Sequence, residues 1–530
     1  MGLITDASLP WLVPAGQSRL RDQYDLYVAP YLIPVAISTV VIYYLSVKFD
    51  RHLRGIPGPF WASFSSIWKT WDTYKGRSQY TTINLHRQYG PLVRVGPKHV
   101  SVGDPAAIKT IYSVNGGFTK TAFYPIQAAR YEKKPLMNLF ATRDEAYHSR
   151  IKRPVAHTYS MAALAELEPK IDHVSKLFME KLKNFERENQ AFDLGEWLQW
   201  YAFDVIGNLT FSRTLGFIEE SRDVDNVISS IGAFFIYAAV VGQVPWLHKL
   251  LAGNPLLPIV MPAIETFNPA VNFANKCMNE MGAEEVNKGR DDFLVRFQKM
   301  MKDGVRGGTN GGAFGSADIV NHTSTNVLAG SDTTAIALRS IIHNLITSPV
   351  CYNRLLREID ELDKAGKLSD PVKESEARQM PYLQAIIKEG MRLHPSVGML
   401  MERHVPKGGA TICGKFIPEG YVVGMNPWVV GRDKRVYGED ADEFQPERWL
   451  DADPEQLREM ERSSLAFGAG SRVCIGKNIA MMETSKMIPQ LFREFDITLV
   501  APQKDLETVN YWFPVQQGLI CRLRTRRGRD

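Results

Sequence analysis

Five cysteines in 530 residues, odd in number and scattered, give no disulfide framework. No Cys-x-x-Cys occurs. That pattern excludes zinc sites, which need several Cys or His ligands at short spacing, and iron–sulfur clusters, which need about four cysteines. The chain has no Gly-Lys-Ser/Thr phosphate loop. Gly304 to Gly315 is rich in glycine but lacks that ending, and reads as a flexible connection. No nicotinamide or flavin fingerprint, internal repeat or long linker is visible. Charge of one sign is also missing: 63 Lys and Arg stand against 58 Asp and Glu, a net +5. This permits an acidic partner and does not demand nucleic acid.

What is present centres on Cys474, in Phe467-Gly-Ala-Gly-Ser-Arg472-Val-Cys474-Ile-Gly476. One soft ligand without partners suits an iron whose other ligands come from a macrocycle. The residues from Lys477 to Met487 read as a helix, so the sulfur precedes a helix N-terminus, where dipole and free N–H groups favour an anion and lower a thiol pKa. The glycines let backbone pass close to a flat ligand.

Two helices carry further signals. From Ala317 to Ser348 apolar residues recur at helical spacing until Pro349, and Ala329-Gly330-Ser331-Asp332-Thr333-Thr334 lies inside. Gly330 costs about 1 kcal/mol there relative to Ala, and Thr hydroxyls bond back to carbonyls a turn earlier. The spacing predicts a ladder loosened at one point, with polar groups facing a cavity. In the second helix, opened by Met380-Pro381, Glu389 falls on the apolar stripe with Tyr382, Ile386 and Leu393, and Arg392 sits one turn on. A buried carboxylate needs a partner, which a guanidinium fork supplies. Pro446-Glu-Arg448-Trp449 offers another arginine.

The Gly-Ser-Asp-Thr-Thr helix, Glu-x-x-Arg, Pro-Glu-Arg-Trp and the cysteine loop, in this chain order, resemble the cytochrome P-450 family over the chain after Pro59, and within it the fungal microsomal members, including the pisatin demethylase-like group. The resemblance implies one large domain, mainly α with a smaller β portion (α+β). It implies haem b with Cys474 as the axial thiolate ligand, whose electron donation favours O–O cleavage, and Phe467 at the start of its loop. Asp332 and Thr333 would be the acid–alcohol pair that supplies protons, and Gly330 the opening in the helix groove. Glu389, Arg392 and Arg448 would form a structural triad. Arg472 and Arg403 would hold the haem propionates, joined by His148 and Lys152, which fall where many relatives carry Trp and Arg; Arg150 or Arg153 are alternatives to them. Without a nicotinamide site, electrons would come from NADPH–cytochrome P-450 reductase, optionally with cytochrome b5. The implied activity is a monooxygenase acting on a hydrophobic small molecule in secondary metabolism. A same-fold isomerase or dehydratase acting on a peroxide without a reductase, and a haem-binding sensor or carrier, are the competing readings.

The front of the chain gives a location. Tyr27 to Val47 is a run of about twenty apolar, uncharged residues, long enough to span a bilayer, with tyrosines near its ends and Lys48, Arg51 and Arg54 following. The organisation expected is a lumenal tail (1–26), an anchor (27–47), a hinge (48–59) containing Gly55-Ile-Pro-Gly-Pro59, and a catalytic domain (60–530) on the cytosolic side of the endoplasmic reticulum membrane. Asn208 and Asn321 match the glycosylation pattern and read as accidental.

Overall fold

The computed structural model describes residues 24, 29–131, 134–254, 269–280, 289–501 and 506–526. The 1–26 tail, Tyr24 apart, and the first two residues of the expected anchor lie outside the described residues. Helix makes up 57% and strand 11%, the mainly α composition expected.

Helix α1, Ala29–Lys48, has 20 residues, about 30 Å at the helical rise and so the thickness of a bilayer core. No part of its apolar window is buried. The short helix α2, Ile67–Tyr74, follows. The main sheet uses β1 (Leu92–Gly96), β2 (His99–Val102), β3 (Thr119–Lys120), β4 (Arg403–His404) and β5 (Val422–Gly424), in the spatial order β1-β2-β5-β4-β3. Its register matters for the site: β3 and β4 run antiparallel with Lys120 opposite Arg403.

The helical body is organised around α6, Ser316–Thr347. The other helices that build the site are α3 (Glu145–Val155), α4 (Leu194–Phe211), α5 (Val227–Val241), α7 (Pro381–Leu393) and α8 (Lys477–Glu494). The predicted stripe on α6, including Ile319, Leu338, Ile341 and Leu345, is buried in one core with α4 and α8. Pro349 stops α6 as expected and opens the next helix.

Three expectations need correction. α6 is not loosened at Gly330: the hydroxyls of Ser331, Thr333 and Thr334 donate to the carbonyls of Val327, Ala329 and Gly330, and the helix runs on. Back-bonding hydroxyls there add to the ladder instead of breaking it. Gly304 to Gly315 is an ordered turn: Arg306 bridges Ala313, and the Asp318 carboxylate accepts from the amides of Thr309 and Gly315. The 48–59 segment is built into the body, with Leu53 and Ile56 buried against Val100, Val102 and Tyr421. Apolar residues flanking the prolines hold what the Gly-Pro pattern alone reads as a hinge. Asn208 and Asn321 are both buried, which excludes glycan attachment in the folded chain.

Candidate active site

A cavity of about 290 Å³ lies between α3, α6, the sheet and the loop before α8. Phe467, Arg472, Cys474 and Gly476 line it on one side, and Gly330 and Thr333 of α6 also face it. The loop closes through the Cys474 amide, which donates to the Phe467 carbonyl at 2.9 Å. Gly468 and Gly470 hold left-handed φ of 69° and 67°, and a Cβ on Gly470 would fall 1.8 Å from the Tyr112 carbonyl oxygen. Only glycine permits this turn. Cys474 is exposed, and the surface it exposes is the cavity.

Burial pushes the Cys474 thiol up overall. The amides of Gly476 and Lys477 and the Lys152 ammonium pull it the other way. The helix-start effect expected from the sequence is therefore real, and burial outweighs it. Among the described residues no group of three or more His, Cys, Asp or Glu is placed to hold a metal ion, so a metal at Cys474 takes its other ligands from another molecule.

One wall of the cavity is cationic. Lys120, His148, Lys152, Arg403 and Arg472 line it, and among the described residues no Asp or Glu does. Lys120 and Arg403 are both buried and stand directly opposite each other across β3 and β4. Like charges in that position destabilise a sheet. Burial, then Arg403 and Arg472, push the Lys120 ammonium well down, and burial, then Arg472, Lys152 and Lys120, push His148 down to about 3. Both shifts come from burial and from basic groups crowded together, and an anion bound against this wall would relieve them. Arg403 donates to the Tyr124 hydroxyl at 3.1 Å and to the Glu402 carbonyl at 2.8 Å, two uncharged acceptors. Arg472 differs: it forks onto Glu145 (2.8 and 3.0 Å) and reaches the Leu139 carbonyl, so its charge is already largely answered. Lys152 donates to the Ser471 carbonyl at 3.2 Å.

Asp332 does not line the cavity. Successive helical residues point about 100° apart, so with Thr333 inward the acid turns to α4. There its Oδ1 accepts from the Gln199 amide at 2.6 Å. Gln199 is held by Arg339, which donates to its Oε1 at 2.9 Å and to the Gly195 carbonyl at 2.7 Å. Burial, with only partial relief from Gln199 and Arg339, pushes Asp332 up to about 6. Gly330 is explained by α4 as well: a Cβ there would meet Ile206 at 3.0 Å.

Glu389, Arg392 and Arg448 come together as predicted, away from the cavity. Arg392 forks onto Glu389 at 2.6 and 2.8 Å, and Arg448 adds a bond at 3.0 Å.

The family model for cytochrome P-450 matches residues 56–520. The chain belongs to the cytochrome P-450 family. A cytochrome P-450 monooxygenase of Aspergillus terreus is 38% identical over 473 residues, covering 88% of this chain and 95% of its own length. The monooxygenase cicH of Emericella nidulans is 38% identical, covering 93% and 97%. Pisatin demethylase of Fusarium vanettenii is 35% identical, covering 97% of each. The protein is accordingly a P-450 oxidoreductase of the monooxygenase kind, and the family implies a haem-thiolate cofactor. The cavity fits it: a single thiol faces a space whose wall concentrates basic side chains and, among the described residues, no acids, the chemistry that two propionates require.

Sequence reasoning missed Lys120, Glu145 and Gln199. Glu145 had a signal, since Asp144-Glu145 opens α3 as an N-cap and first-turn acid. Lys120 and Gln199 act through contacts far apart in the chain.

Proposed function

We propose that this protein binds haem b and inserts one oxygen atom from O2 into a hydrophobic small molecule, by hydroxylation, epoxidation or oxidative demethylation, in the tailoring of a fungal secondary metabolite. The observation that carries the reading is one cavity containing the Cys474 sulfur, a carboxylate-free cationic wall and the Thr333 hydroxyl. Bound haem supplies the iron at which dioxygen is activated, and thiolate ligation favours O–O cleavage.

The chain's own residues do the rest. Cys474 ligates the iron. Arg403, Lys120 and His148 hold the propionates, with Arg472 and Lys152 at the edge of that wall. Phe140, Phe235, Val397, Trp512 and Phe513 line the remainder of the cavity and favour an apolar substrate. Thr333 donates its proton to the Ala329 carbonyl at 2.8 Å, leaving its oxygen lone pairs free to hold a water that delivers protons. Asp332, with a pKa near neutrality, is a suitable reservoir, and its release from Gln199 is the step that brings it to Thr333. Glu389, Arg392 and Arg448 hold the fold and touch no substrate.

We assign electron supply to NADPH–cytochrome P-450 reductase, with cytochrome b5 as an auxiliary. α1 anchors the protein in the endoplasmic reticulum membrane as a single span, and Lys48, Arg51 and Arg54 put the body on the cytosolic side. The test reconstitutes the full-length chain with haem, reductase and NADPH, and screens hydrophobic candidates with isotope-labelled O2. The expected result is a thiolate-type spectrum for the reduced carbon monoxide complex, lost in Cys474→Ser, and products that gain one labelled oxygen in strict dependence on NADPH. Turnover of a peroxide without reductase, with no O2 incorporation, would overturn the monooxygenase reading.

A further inference from the structure

The last four carbonyls of a helix have no donor within it, and at the edge of a bilayer each needs one. In α1 the Leu45 carbonyl accepts from the Phe49 amide at 2.9 Å, and the side-chain donor to the last two carbonyls is Arg94 of β1. Its guanidinium, in a residue 5% exposed, donates to the carbonyls of Val47 at 2.7 Å and Lys48 at 3.1 Å, and is itself fixed by the Pro97 carbonyl at 2.7 Å. A cation at a helix C-terminus is also favoured by the helix dipole.

Other contacts clamp the same junction. Lys48 donates to the Ser63 hydroxyl at 2.8 Å and lies over the Phe60 ring at 4.7 Å. Asp50 accepts from the Tyr421 hydroxyl at 2.5 Å. The Arg94 amide donates to the Pro57 carbonyl at 2.7 Å, tying β1 to the segment after α1. A Cβ on Gly58 would lie 2.1 Å from the Arg94 carbonyl oxygen, so Gly58 is what allows that approach. No free joint remains between α1 and the sheet.

The face beside this junction is apolar. Phe60, Trp61 and Trp71 are exposed, Trp61 at 68%, and so are Trp246 and Leu250 after α5. The elements that carry them are packed in series, α2 on the turn at Trp61–Ser63 and α5 on α2. Aromatic residues continuous with the end of a spanning helix suit the headgroup region of a bilayer.

We propose that Arg94 welds the anchor helix to the catalytic body, so that crossing the membrane fixes one orientation of the body, with Trp61, Trp71 and Trp246 seated in the lipid interface. This rests on the reading of α1 as an anchor and goes beyond it: an anchor alone needs only a tether.

The test uses the full-length holoenzyme in oriented bilayers of phosphatidylcholine and phosphatidylethanolamine. Polarised absorption reports the haem tilt, and bromine-labelled lipid reports tryptophan depth through quenching. The wild type is expected to show strong dichroism and strong quenching. Arg94→Leu is expected to stay membrane-bound and keep its carbon monoxide spectrum while losing most of its dichroism. A Gly-Ser-Gly-Ser insert between Ser46 and Val47 leaves Arg94 and its two acceptors in place but parts them from the span, and should have the same effect; it decides the matter alone if Arg94→Leu does not fold. Undiminished dichroism in the insert variant, or none in the wild type, overturns the weld while leaving the anchor standing. A wild-type chain that fails to pellet with vesicles overturns both.

Discussion

Glu389 and Asp332 are both buried acids on helices, each with arginine nearby, yet they end in opposite states. Glu389 accepts from Arg392 twice, from Arg448, from the Trp449 indole at 2.9 Å and from the Gln445 amide at 2.9 Å. Burial works to raise its pKa, but Arg392 and Arg448 hold it below the usual carboxylate range. Asp332 has the Gln199 amide, while the Arg339 guanidinium is engaged by Gly195 and Gln199, and burial carries it up to about 6. The difference is donor count, not depth. A fully satisfied carboxylate is a fixed structural node, whereas an under-satisfied one keeps a proton within reach of neutral pH.

Removing the satisfied acid should have the largest effect. Glu389→Ala leaves Arg392 buried without its carboxylate, while Arg448 keeps Asp440, and breaking a buried pair in this way costs about 3–5 kcal/mol. Urea denaturation of the holoprotein should show a marked fall in midpoint together with haem loss. An unchanged midpoint would mean that donor count does not distinguish the two acids.

Asp332→Asn should act through pH. The folded-state pKa of about 6 lies above the ordinary 3.8, so the native state holds this proton more tightly than the unfolded state. Stability attributable to Asp332 is therefore present below about 3.8 and is lost as pH rises through about 6, a change on the order of 3 kcal/mol across the window. Asp204 is also raised to about 6 by burial, so the informative quantity is the difference between wild type and Asp332→Asn. Parallel stability curves for the two proteins from pH 4 to pH 7 would remove Asp332 from the role of proton store.

The contrast also marks what a sequence can convey. Cys474 and its glycines, Glu389 with Arg392 at helical spacing, and the ends of α6 and α7 depend on neighbours within a few residues, and all were legible. The direction of Asp332 was not: an Asp-Thr dipeptide places acid and alcohol together in the chain, while helical rotation sends them to different faces. Lys120 was invisible for a related reason. It sits in a two-residue strand, and only the pairing of β3 with β4 sets it against Arg403. The burial of Leu53 and Ile56 likewise depends on strands that come much later in the chain.

The smallest and sharpest change tests the single donor directly. Gln199 lies in α4, far from Asp332 in the sequence, and its amide is the hydrogen bond that lowers the Asp332 pKa against burial. Gln199→Leu keeps an apolar side chain of similar length in the core and removes that donor. It also leaves Arg339 without the Gln199 Oε1 acceptor, though still bonded to Gly195. With its donor gone, Asp332 should titrate higher, by roughly one pH unit for a hydrogen bond to a charged group. The stability lost on raising pH should then extend above pH 6, with a cost of about 1 kcal/mol where both states are protonated. A double-mutant cycle with Asp332→Asn isolates the pair from the effect on Arg339. If the upper edge of the window stays at about 6, Gln199 does not control the acid, and the carboxyl is already free to turn toward Thr333. If it moves, the Gln199 amide is the hydrogen bond that holds the Asp332 carboxyl against α4.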